Sequence, residues 1–234
     1  MLKIQCFHSS SAGNLYSISD GKTRIMLECG VDFKTIQKCF DFKLSEVAAC
    51  LITHEHKDHS KSFEKVAQYM PVYMLKDTAE ALGAKGYNIK HYTPAEPFRL
   101  GDFSITPIKA YHDAPCCSFS IYNRATKERV LFATDTYALA AYPYNVNYAL
   151  VECNYQLEII NEEVDRGRLN NAGRNRVIRS HMGLDTTLKI LNSLNPATLQ
   201  EICVLHLSSR HADAKHVKRT IEEAVGKPVI IAKK

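Results

Sequence analysis

Short runs of β-favouring residues fill the first third of the chain, and a polar segment, SSSAGN, separates the first two runs. Apolar stretches of this length, bounded by turn-forming residues, are typical of strands in a partly buried sheet. They predict strands over residues 2–7, 15–19, 24–29 and 48–53. Four apolar residues then recur at the spacing of one helix face and predict a helix over residues 60–70: Phe63, Val66, Ala67 and Met70.

The rest of the chain mixes both patterns. DTAE, beginning at Asp77, resembles a capping box and predicts a short helix, while Asp185 and Asp213 are candidate caps of two later helices. Six further β-favouring runs predict strands over residues 103–109, 117–122, 130–134, 148–152, 202–206 and 229–231. This order predicts an α/β fold in which two mixed sheets are covered by helices, an αββα four-layer sandwich, with residues 1–234 forming one domain.

Composition supports a soluble globular protein. Of the 234 residues, 45% are hydrophobic and 24% are charged, and the formal net charge of +5 is modest. No apolar run approaches the length of a transmembrane helix, and the first residues lack the layout of a signal peptide, so we expect a cytoplasmic location without membrane attachment. The eight cysteines are scattered and form no CxxC pair, which predicts buried, reduced thiols.

The densest chemical signal is the segment THEHKDH at residues 53–59, which directly follows an apolar strand. Four such polar groups on one turn are costly to bury unless a cation binds them. Side chains at positions i and i+2 of an extended segment point the same way, so His54 and His56 can hold one metal while Asp58 and His59 turn toward a second. Imidazole and carboxylate ligands suit zinc, manganese or iron, so the identity of the metal stays open.

This H-x-H-x-D-H run resembles the metallo-β-lactamase superfamily, and the resemblance continues along the chain. It implies that His112, in AYHDAP, completes the first metal site, that Asp135, in LFATDTY, bridges both metals, and that His206, in VLHLSSRH, binds the second. Many relatives carry an aspartate where this chain has Glu28, and we expect Glu28 to support the metal-binding loop in the same way.

Further motifs resemble the nuclease branch of that superfamily, namely RNase Z and the YycJ/WalJ-type exonucleases. The segment that begins SHMGLDTT implies that His181 approaches the scissile phosphate and protonates the leaving oxygen, so that Asp58 and His181 are the expected catalytic residues. Two weaker matches to the same branch are the segments SSSAGNLYSI and LVECNY. They imply that four residues contact phosphate or support the metal ligands: Ser10, Asn14, Glu152 and Asn154.

The stretch RGRLNNAGRNRVIR, residues 166–179, carries five arginines and no acidic residue, and we interpret it as a loop that contacts phosphate groups. Together with one arginine nearer the C-terminus, the candidate nucleic-acid contacts are Arg166, Arg168, Arg174, Arg176, Arg179 and Arg210.

The resulting hypothesis is a phosphodiesterase with two divalent metal ions, zinc or manganese, in which a shared hydroxide attacks phosphorus. The resemblance favours a DNA exonuclease, with DNA preferred to RNA as substrate, and a homodimer is compatible with the sequence. The alternative is a cyclic-nucleotide phosphodiesterase or another metallo-hydrolase of small substrates. A binding module that merely retains the fold would require a degraded ligand set, whereas the set here is complete.

Overall fold

The computed structural model describes residues 1–232 of the chain. Over these residues the strands form one six-stranded and one eight-stranded sheet. The first sheet follows chain order; β1 to β3 are antiparallel neighbours, and the remaining pairs are parallel. Its strands are β1 (Lys3–Ser10), β2 (Gly13–Ser19), β3 (Arg24–Leu27), β4 (Ala49–Leu51), β5 (Val72–Met74) and β6 (Ile89–His91).

The second sheet contains an antiparallel half and a parallel half. Its strands are β7 (Phe98–Leu100), β8 (Phe103–Tyr111), β9 (Cys116–Asn123), β10 (Arg129–Ala133), β11 (Ala138–Leu139), β12 (Tyr148–Glu152), β13 (Glu201–Leu205) and β14 (Val229–Ile231). Their order is β11-β8-β9-β10-β12-β13-β14, and β7 pairs with β8. Strands β10, β12, β13 and β14 are mutually parallel, so their carboxyl ends lie at one edge of the sheet.

Helices cover the outer faces of both sheets. They are α1 (Phe33–Cys39), α2 (Lys57–Ser60), α3 (Phe63–Val66), α4 (Lys76–Leu82), α5 (Leu157–Asp165), α6 (Asn171–Ser180), α7 (Leu184–Ser193) and α8 (Ala214–Val225). One apolar core joins α1, α3 and α4 to the first sheet, and another joins α7 and α8 to the second. Because each sheet must bury both of its apolar faces, these layers give the predicted αββα sandwich.

A third core lies between the two sheets. Tyr16 of the first sheet packs edge-on against Phe132 of the second, with ring centroids 5.1 Å apart, and both side chains are fully buried. A buried tyrosine hydroxyl needs polar partners, and here it lies 2.7 Å from Oγ of Ser9 and 2.9 Å from Oδ1 of Asn14. The central core therefore ends in a small polar network at the edge where the histidines gather.

Several local expectations were wrong in detail. The helix expected over residues 60–70 is shortened to α3, and α2 ends where it was expected to begin. The helix expected to be capped by Asp77 already begins at Lys76, without a side-chain cap. Asp185 lies in the first turn of α7, whose N-cap is Gly183. The cap at Asp213 is confirmed, because its carboxylate accepts hydrogen bonds from the backbone N–H groups of α8 at 2.8 and 3.2 Å.

The cysteines agree with the sequence expectation. All eight are free thiols, six of them buried and two half-buried. Within the described residues, no helix has the length and apolar character that crossing a membrane requires.

Candidate metal centre

Three histidines form a first group of potential metal ligands. His54 and His56 lie on the loop after β4, and His112 follows the end of β8. Nδ1 of His112 lies 2.7 Å from the carbonyl oxygen of Ser180, which can only accept a hydrogen bond, so Nδ1 carries the donating hydrogen and the Nε2 of a neutral ring carries a lone pair. This Nε2 lies 3.3 Å from Nδ1 of His56, which places two ring nitrogens face to face, as around a shared cation.

A second group combines two carboxylates with two histidines: Asp58, His59, Asp135 and His206. Nε2 of His59 lies 3.4 Å from Oδ2 of Asp58 and 3.3 Å from Oδ1 of Asp135. Nε2 of His206 lies 3.7 and 3.8 Å from the same two oxygens. Ligand atoms lie about 2.0–2.2 Å from an ion such as zinc, so two ligands of one ion are no more than about 4.4 Å apart. The spacing of this group fits one such ion.

The polar atoms at the centre of both groups lack partners, which is a test of whether the residues fit a metal. Among residues 1–232, Nε2 of His54 and Nε2 of His206 are buried and have no hydrogen-bond partner. Buried polar nitrogens are normally hydrogen-bonded, and these two belong to the groups whose spacing suits a cation. The donor set of imidazoles and carboxylates therefore fits divalent metal ions.

The electrostatics of the two groups differ. Burial opposes protonation of His206, but the negative charge of Asp135 and the contact with Asp58 outweigh it and raise the pKa of His206 to about 10. In the first group, burial lowers the pKa of His54 and of His112. The second group thus favours positive charge between its carboxylates, whereas burial in the first favours the neutral form of His54 and His112, which is the form that binds metals.

Buried side chains support His59 from two sides. Oε1 of Glu28 lies 3.5 Å from Nδ1 of His59, and Oε2 of Glu28 accepts the backbone N–H of Thr53 at 3.3 Å. On the other side, the amide nitrogen of Asn14 donates to the carbonyl oxygen of Asp58 at 3.1 Å and lies 3.0 Å from Nε2 of His59. Both Glu28 and Asn14 are fully buried, so they lie where supporting residues were predicted.

Glu152 supports the rings of two histidines, His181 and His206, in a similar way. Nδ1 of His181 donates to Oε1 of Glu152 at 2.6 Å, and Nδ1 of His206 lies 3.4 Å from the same oxygen. Asn154 adds a hydrogen bond from its amide nitrogen to the carbonyl oxygen of His206 at 2.9 Å. Since Glu152 is completely buried, its carboxylate is held between the two rings and fixes their orientation.

Three of these residues have left-handed backbone. Each lies one or two residues after the end of a strand: Glu28 after β3, Asp135 after β10 and His206 after β13. Their φ angles are 61°, 47° and 50°, in the same order. Such conformations cost about 1–3 kcal/mol at a residue other than glycine and concentrate at functional sites. The turns bring the side chains of Asp135 and His206 into one group immediately after their strands.

A cavity of about 380 Å³ opens onto both groups. Its lining includes metal-ligand candidates, among them His56, Asp58 and Asp135, and two residues of α6, Arg176 and Val177. His181 lines the same cavity. Five of the seven predicted metal ligands line this cavity with His181, and the other two, His54 and His59, are buried behind it in the same two groups.

The arginine-rich stretch is not the loop that the sequence suggested, since residues 171–180 form helix α6, whose N-cap Asn170 accepts the N–H of Gly173 at 2.7 Å.

The six arginines predicted to contact nucleic acid have different surroundings. Only Arg176 of the six predicted contacts lines the cavity among the described residues. Arg168 and Arg210 pair with Glu163, and Arg166 pairs with Glu162. Arg174 donates to Asn161 at 2.7 Å, and Arg179 is exposed.

The sequence interpretation missed three residues close to the centre. Oγ of Ser9, rather than that of neighbouring Ser10, accepts the backbone N–H of His206 at 2.8 Å. The backbone N–H of Thr136 donates to Oε2 of Glu152 at 3.0 Å. Asp113 lies 3.0 Å from Nε2 of His112 and lines the cavity. Each directly adjoins a singled-out residue, and that adjacency was the available signal.

Comparison with known proteins agrees with this architecture. A family model described as a β-lactamase superfamily domain matches residues 23–206. Over 173 residues the chain is 27% identical to exodeoxyribonuclease WalJ of Streptococcus pneumoniae, which covers 68% of this chain and 64% of the relative. The chain thus spans less than two thirds of the length of that curated relative.

Solved structures with low sequence identity share the fold. The metallo-β-lactamase fold protein YhfI of Bacillus subtilis superposes with a TM-score of 0.76 at 18% identity, covering 99% of this chain and 96% of that one. The short form of human tRNase Z gives a TM-score of 0.69 at 11% identity, with coverage of 100% and 97%. These likenesses confirm the predicted four-layer fold.

Proposed function

The chain belongs to the β-lactamase superfamily, and from this membership we propose that it is a phosphodiesterase with two divalent metal ions that acts as a DNA exonuclease. The similarity to an exodeoxyribonuclease supports the choice of DNA over RNA. The fold alone does not select this chemistry, because one fold hosts many reactions. The support therefore has to come from the site.

One observation carries the proposal: members of two groups of metal-ligand candidates line the same cavity as His181 and Arg176. Hydrolysis of a phosphodiester requires a nucleophile, neutralisation of the phosphoryl oxygens and a proton for the leaving oxygen. The cavity offers a separate group for each of these three needs.

In this proposal His54, His56 and His112 would hold one ion, and Asp58, His59 and His206 would hold the other, with the carboxylate of Asp135 as a further ligand. Such ions, zinc or manganese, supply a nucleophile at neutral pH and stabilise negative charge on phosphoryl oxygens. Asp58, which is partly exposed in the cavity, also helps to orient the attacking water.

His181 is the proposed general acid. As a water oxygen forms its bond to phosphorus, it releases one proton to solvent, and the bond from phosphorus to the ester oxygen breaks. The leaving oxygen takes a proton from the His181 ring, which regains one from solvent. Burial opposes protonation of this ring, but the charge of Glu152 outweighs burial and raises the pKa of His181 above its ordinary value. A histidine that stays protonated near neutral pH suits the donation of a proton.

Arg176 is the proposed phosphate contact at the active centre, since its guanidinium is largely exposed at the cavity wall. Arg166, Arg168, Arg174, Arg179 and Arg210 lie outside the cavity lining, and we propose that they contribute at most to attraction of a longer polyanion.

The test is an assay of zinc- or manganese-loaded protein on end-labelled DNA, end-labelled RNA and cyclic mononucleotides. We expect stepwise shortening of DNA from one end. A His181→Ala variant should lose most of its turnover, about 100-fold or more, while its metal content is unchanged. The matched control is His91→Ala, which removes an exposed histidine outside the cavity.

Two results would contradict the proposal. Efficient cleavage of cyclic mononucleotides without action on DNA would favour the small-substrate alternative, which should also show only a shallow dependence on salt because it contacts few phosphates. Full activity of the His181→Ala variant would exclude the assigned acid.

A further inference from the structure

Two exposed tyrosines lie beside residues that line the metal cavity. Tyr111 directly precedes His112, and Tyr137 lies two residues after Asp135. The ring centroids of the two tyrosines are 5.9 Å apart, and the residues are 38% and 41% exposed. A single exposed aromatic residue is common on a protein surface, whereas neighbouring exposed rings at the edge of a functional cavity are typical of a binding surface.

A buried hydroxyl group holds the backbone of this tyrosine pair. Oγ1 of Thr136, which is fully buried, accepts a hydrogen bond from the backbone N–H of Tyr111 at 3.0 Å. The backbone N–H of Tyr137 in turn donates to the carbonyl oxygen of Tyr111 at 2.9 Å. The pairing of β11 with the end of β8 continues this contact. The tyrosine pair is therefore set at a fixed position relative to His112 and Asp135.

The charges around the tyrosine pair suit an anionic ligand. Nζ of the exposed Lys109 lies 5.7 Å from the ring centroid of Tyr111, and residues 137–147 include no charged side chain. The two acidic residues closest in the sequence have other partners, since Asp113 lies 3.8 Å from an arginine of α6 and Asp135 is one of the proposed metal ligands. A negatively charged chain that carries flat aromatic groups fits this surface.

We propose that Tyr111 and Tyr137 form a stacking surface for an unpaired base of a DNA strand whose phosphate lies at the metal centre. The inference rests on the proposed function and names the part of the substrate, beyond the phosphate, that the protein recognises. Any base can stack on an aromatic side chain, because every base has a π face. Within a duplex those faces are covered by neighbouring bases, so the surface selects single strands and frayed ends.

A stacked base would position the strand for cleavage. Because Tyr111 and Tyr137 adjoin His112 and Asp135 along the chain, a base held there fixes which phosphate reaches the proposed ions. A strand of equal charge that lacks bases would keep its attraction to Lys109 but lose this register. The bases, and not only the phosphates, should therefore contribute to the efficiency of cleavage.

The first test introduces a fluorescent ring into the tyrosine pair. The chain contains no tryptophan, so the emission of a Tyr137→Trp variant reports the surroundings of that position alone. In stopped flow, before cleavage proceeds, a short single-stranded DNA should quench this emission in the metal-loaded protein, whereas an abasic strand of the same length should not. Tyr87→Trp is the matched control, because Tyr87 is 89% exposed and also lies under a lysine, with Nζ of Lys90 4.3 Å from its ring centroid.

The second test compares kcat/KM for the strand with bases and for the abasic strand. In Tyr111→Ala and Tyr137→Ala the ratio of these two values should fall by about 5- to 100-fold, mainly through KM, since alanine removes one stacking contact. Tyr137→Phe keeps the ring and should restore the ratio. Tyr87→Ala should leave the ratio at its wild-type value.

The outcomes separate this inference from the proposed function. Quenching only by the strand with bases, together with the fall in the ratio, supports the stacking surface. Equal quenching by both strands, quenching by neither, or an unchanged ratio in both alanine variants overturns it. A concentration-dependent increase in mass of the wild-type protein that both alanine variants lose would also overturn it, in favour of contact between two copies of the chain. Base-dependent quenching without DNA cleavage would leave the stacking surface standing while the proposed function fails.

Discussion

Nδ1 of His181 donates to Oε1 of Glu152 at 2.6 Å, and the same oxygen lies 3.4 Å from Nδ1 of His206. One buried carboxylate thus orients both the proposed acid and a proposed metal ligand. The two rings stack with their centroids 5.3 Å apart, so a change at Glu152 affects both.

Glu152→Gln should shift the pH dependence of catalysis. The glutamate charge raises the pKa of His181 against the opposing effect of burial, so a neutral glutamine lowers that pKa. A general acid must be protonated, and activity is lost as the pH rises through its pKa. We therefore expect the alkaline limb of the kcat/KM profile to move to lower pH, with a loss of about 10- to 100-fold at neutral pH. The exposed Glu158→Gln variant is the control, and an unchanged profile in Glu152→Gln would contradict the assigned contact.

Removing one histidine from each group should remove one ion rather than two. His112→Ala should reduce the content of the first ion and His206→Ala that of the second, because each ring belongs to a separate group of ligands. Elemental analysis after dialysis measures the number of ions per chain. His91→Ala, which alters an exposed histidine, should keep the wild-type content. Retention of both ions in either of the first two variants would refute the division into two groups.

Gly30→Ala should disrupt the metal loop through a steric conflict. A Cβ atom at position 30 would lie 1.6 Å from the carbonyl oxygen of Asp58 and 2.6 Å from the backbone nitrogen of His59. Backbone atoms cannot move aside as a flexible side chain does, so we expect a loss of about 3 kcal/mol or more in the free energy of unfolding, together with lower metal content. Thermal unfolding and elemental analysis provide the measurements.

Gly173→Ala is the matched control for that change. Its Cβ would meet only the end of the Leu169 side chain at 2.8 Å and Oδ1 of Asn170 at 3.2 Å, and alanine favours the helix in which it lies. Equal tolerance of both substitutions would show that the segment around Gly30 does not constrain the metal loop.

Glu128 should make stability depend on pH at a distance from the metal centre. Burial opposes its ionisation, but hydrogen bonds from the hydroxyl of Tyr148 at 2.9 Å and the backbone N–H of Leu2 at 2.8 Å outweigh burial and lower the pKa of Glu128. A lowered folded-state pKa stabilises the protein above the unfolded-state pKa, and that stabilisation is lost as the pH falls through the folded-state value.

Glu128→Gln should therefore lower the free energy of unfolding by about 2 kcal/mol at pH 7, and the difference should shrink below about pH 4. Urea titrations at several pH values measure the effect, with the exposed Glu96→Gln variant as control. A difference that grew toward low pH would have the wrong sign for this mechanism.

The sequence predicted the layers and four of the seven proposed metal ligands because these depend on local patterns. Alternating apolar residues identify strands wherever one face is buried, and the segment at residues 53–59 concentrates its chemistry in seven consecutive positions. His112, Asp135 and His206 could be assigned only through their resemblance to family motifs, since nothing local indicates that residues so far apart converge.

Other features depend on tertiary contacts that no local pattern reveals. The arginines of residues 166–179 look alike in the sequence, but Glu162 and Glu163 on the preceding helix α5 neutralise Arg166 and Arg168, whereas Arg176 faces the cavity. Likewise, Ser9 and Ser10 are the same residue type in neighbouring positions, and only the folded structure shows that Ser9 accepts the hydrogen bond from the backbone N–H of His206. Helix α1 went unpredicted because, among its seven residues, only Ile36 is buried.

The left-handed backbone at Glu28, Asp135 and His206 has a consequence for directed evolution. Glycine or asparagine relieves such conformations, and burial raises the pKa of Glu28, so replacing Glu28 should make the metal-free protein more resistant to heat while removing its support of His59. A selection that rewards thermal stability alone is therefore expected to weaken the metal loop early, and any engineering campaign on this scaffold should screen for catalysis in every round.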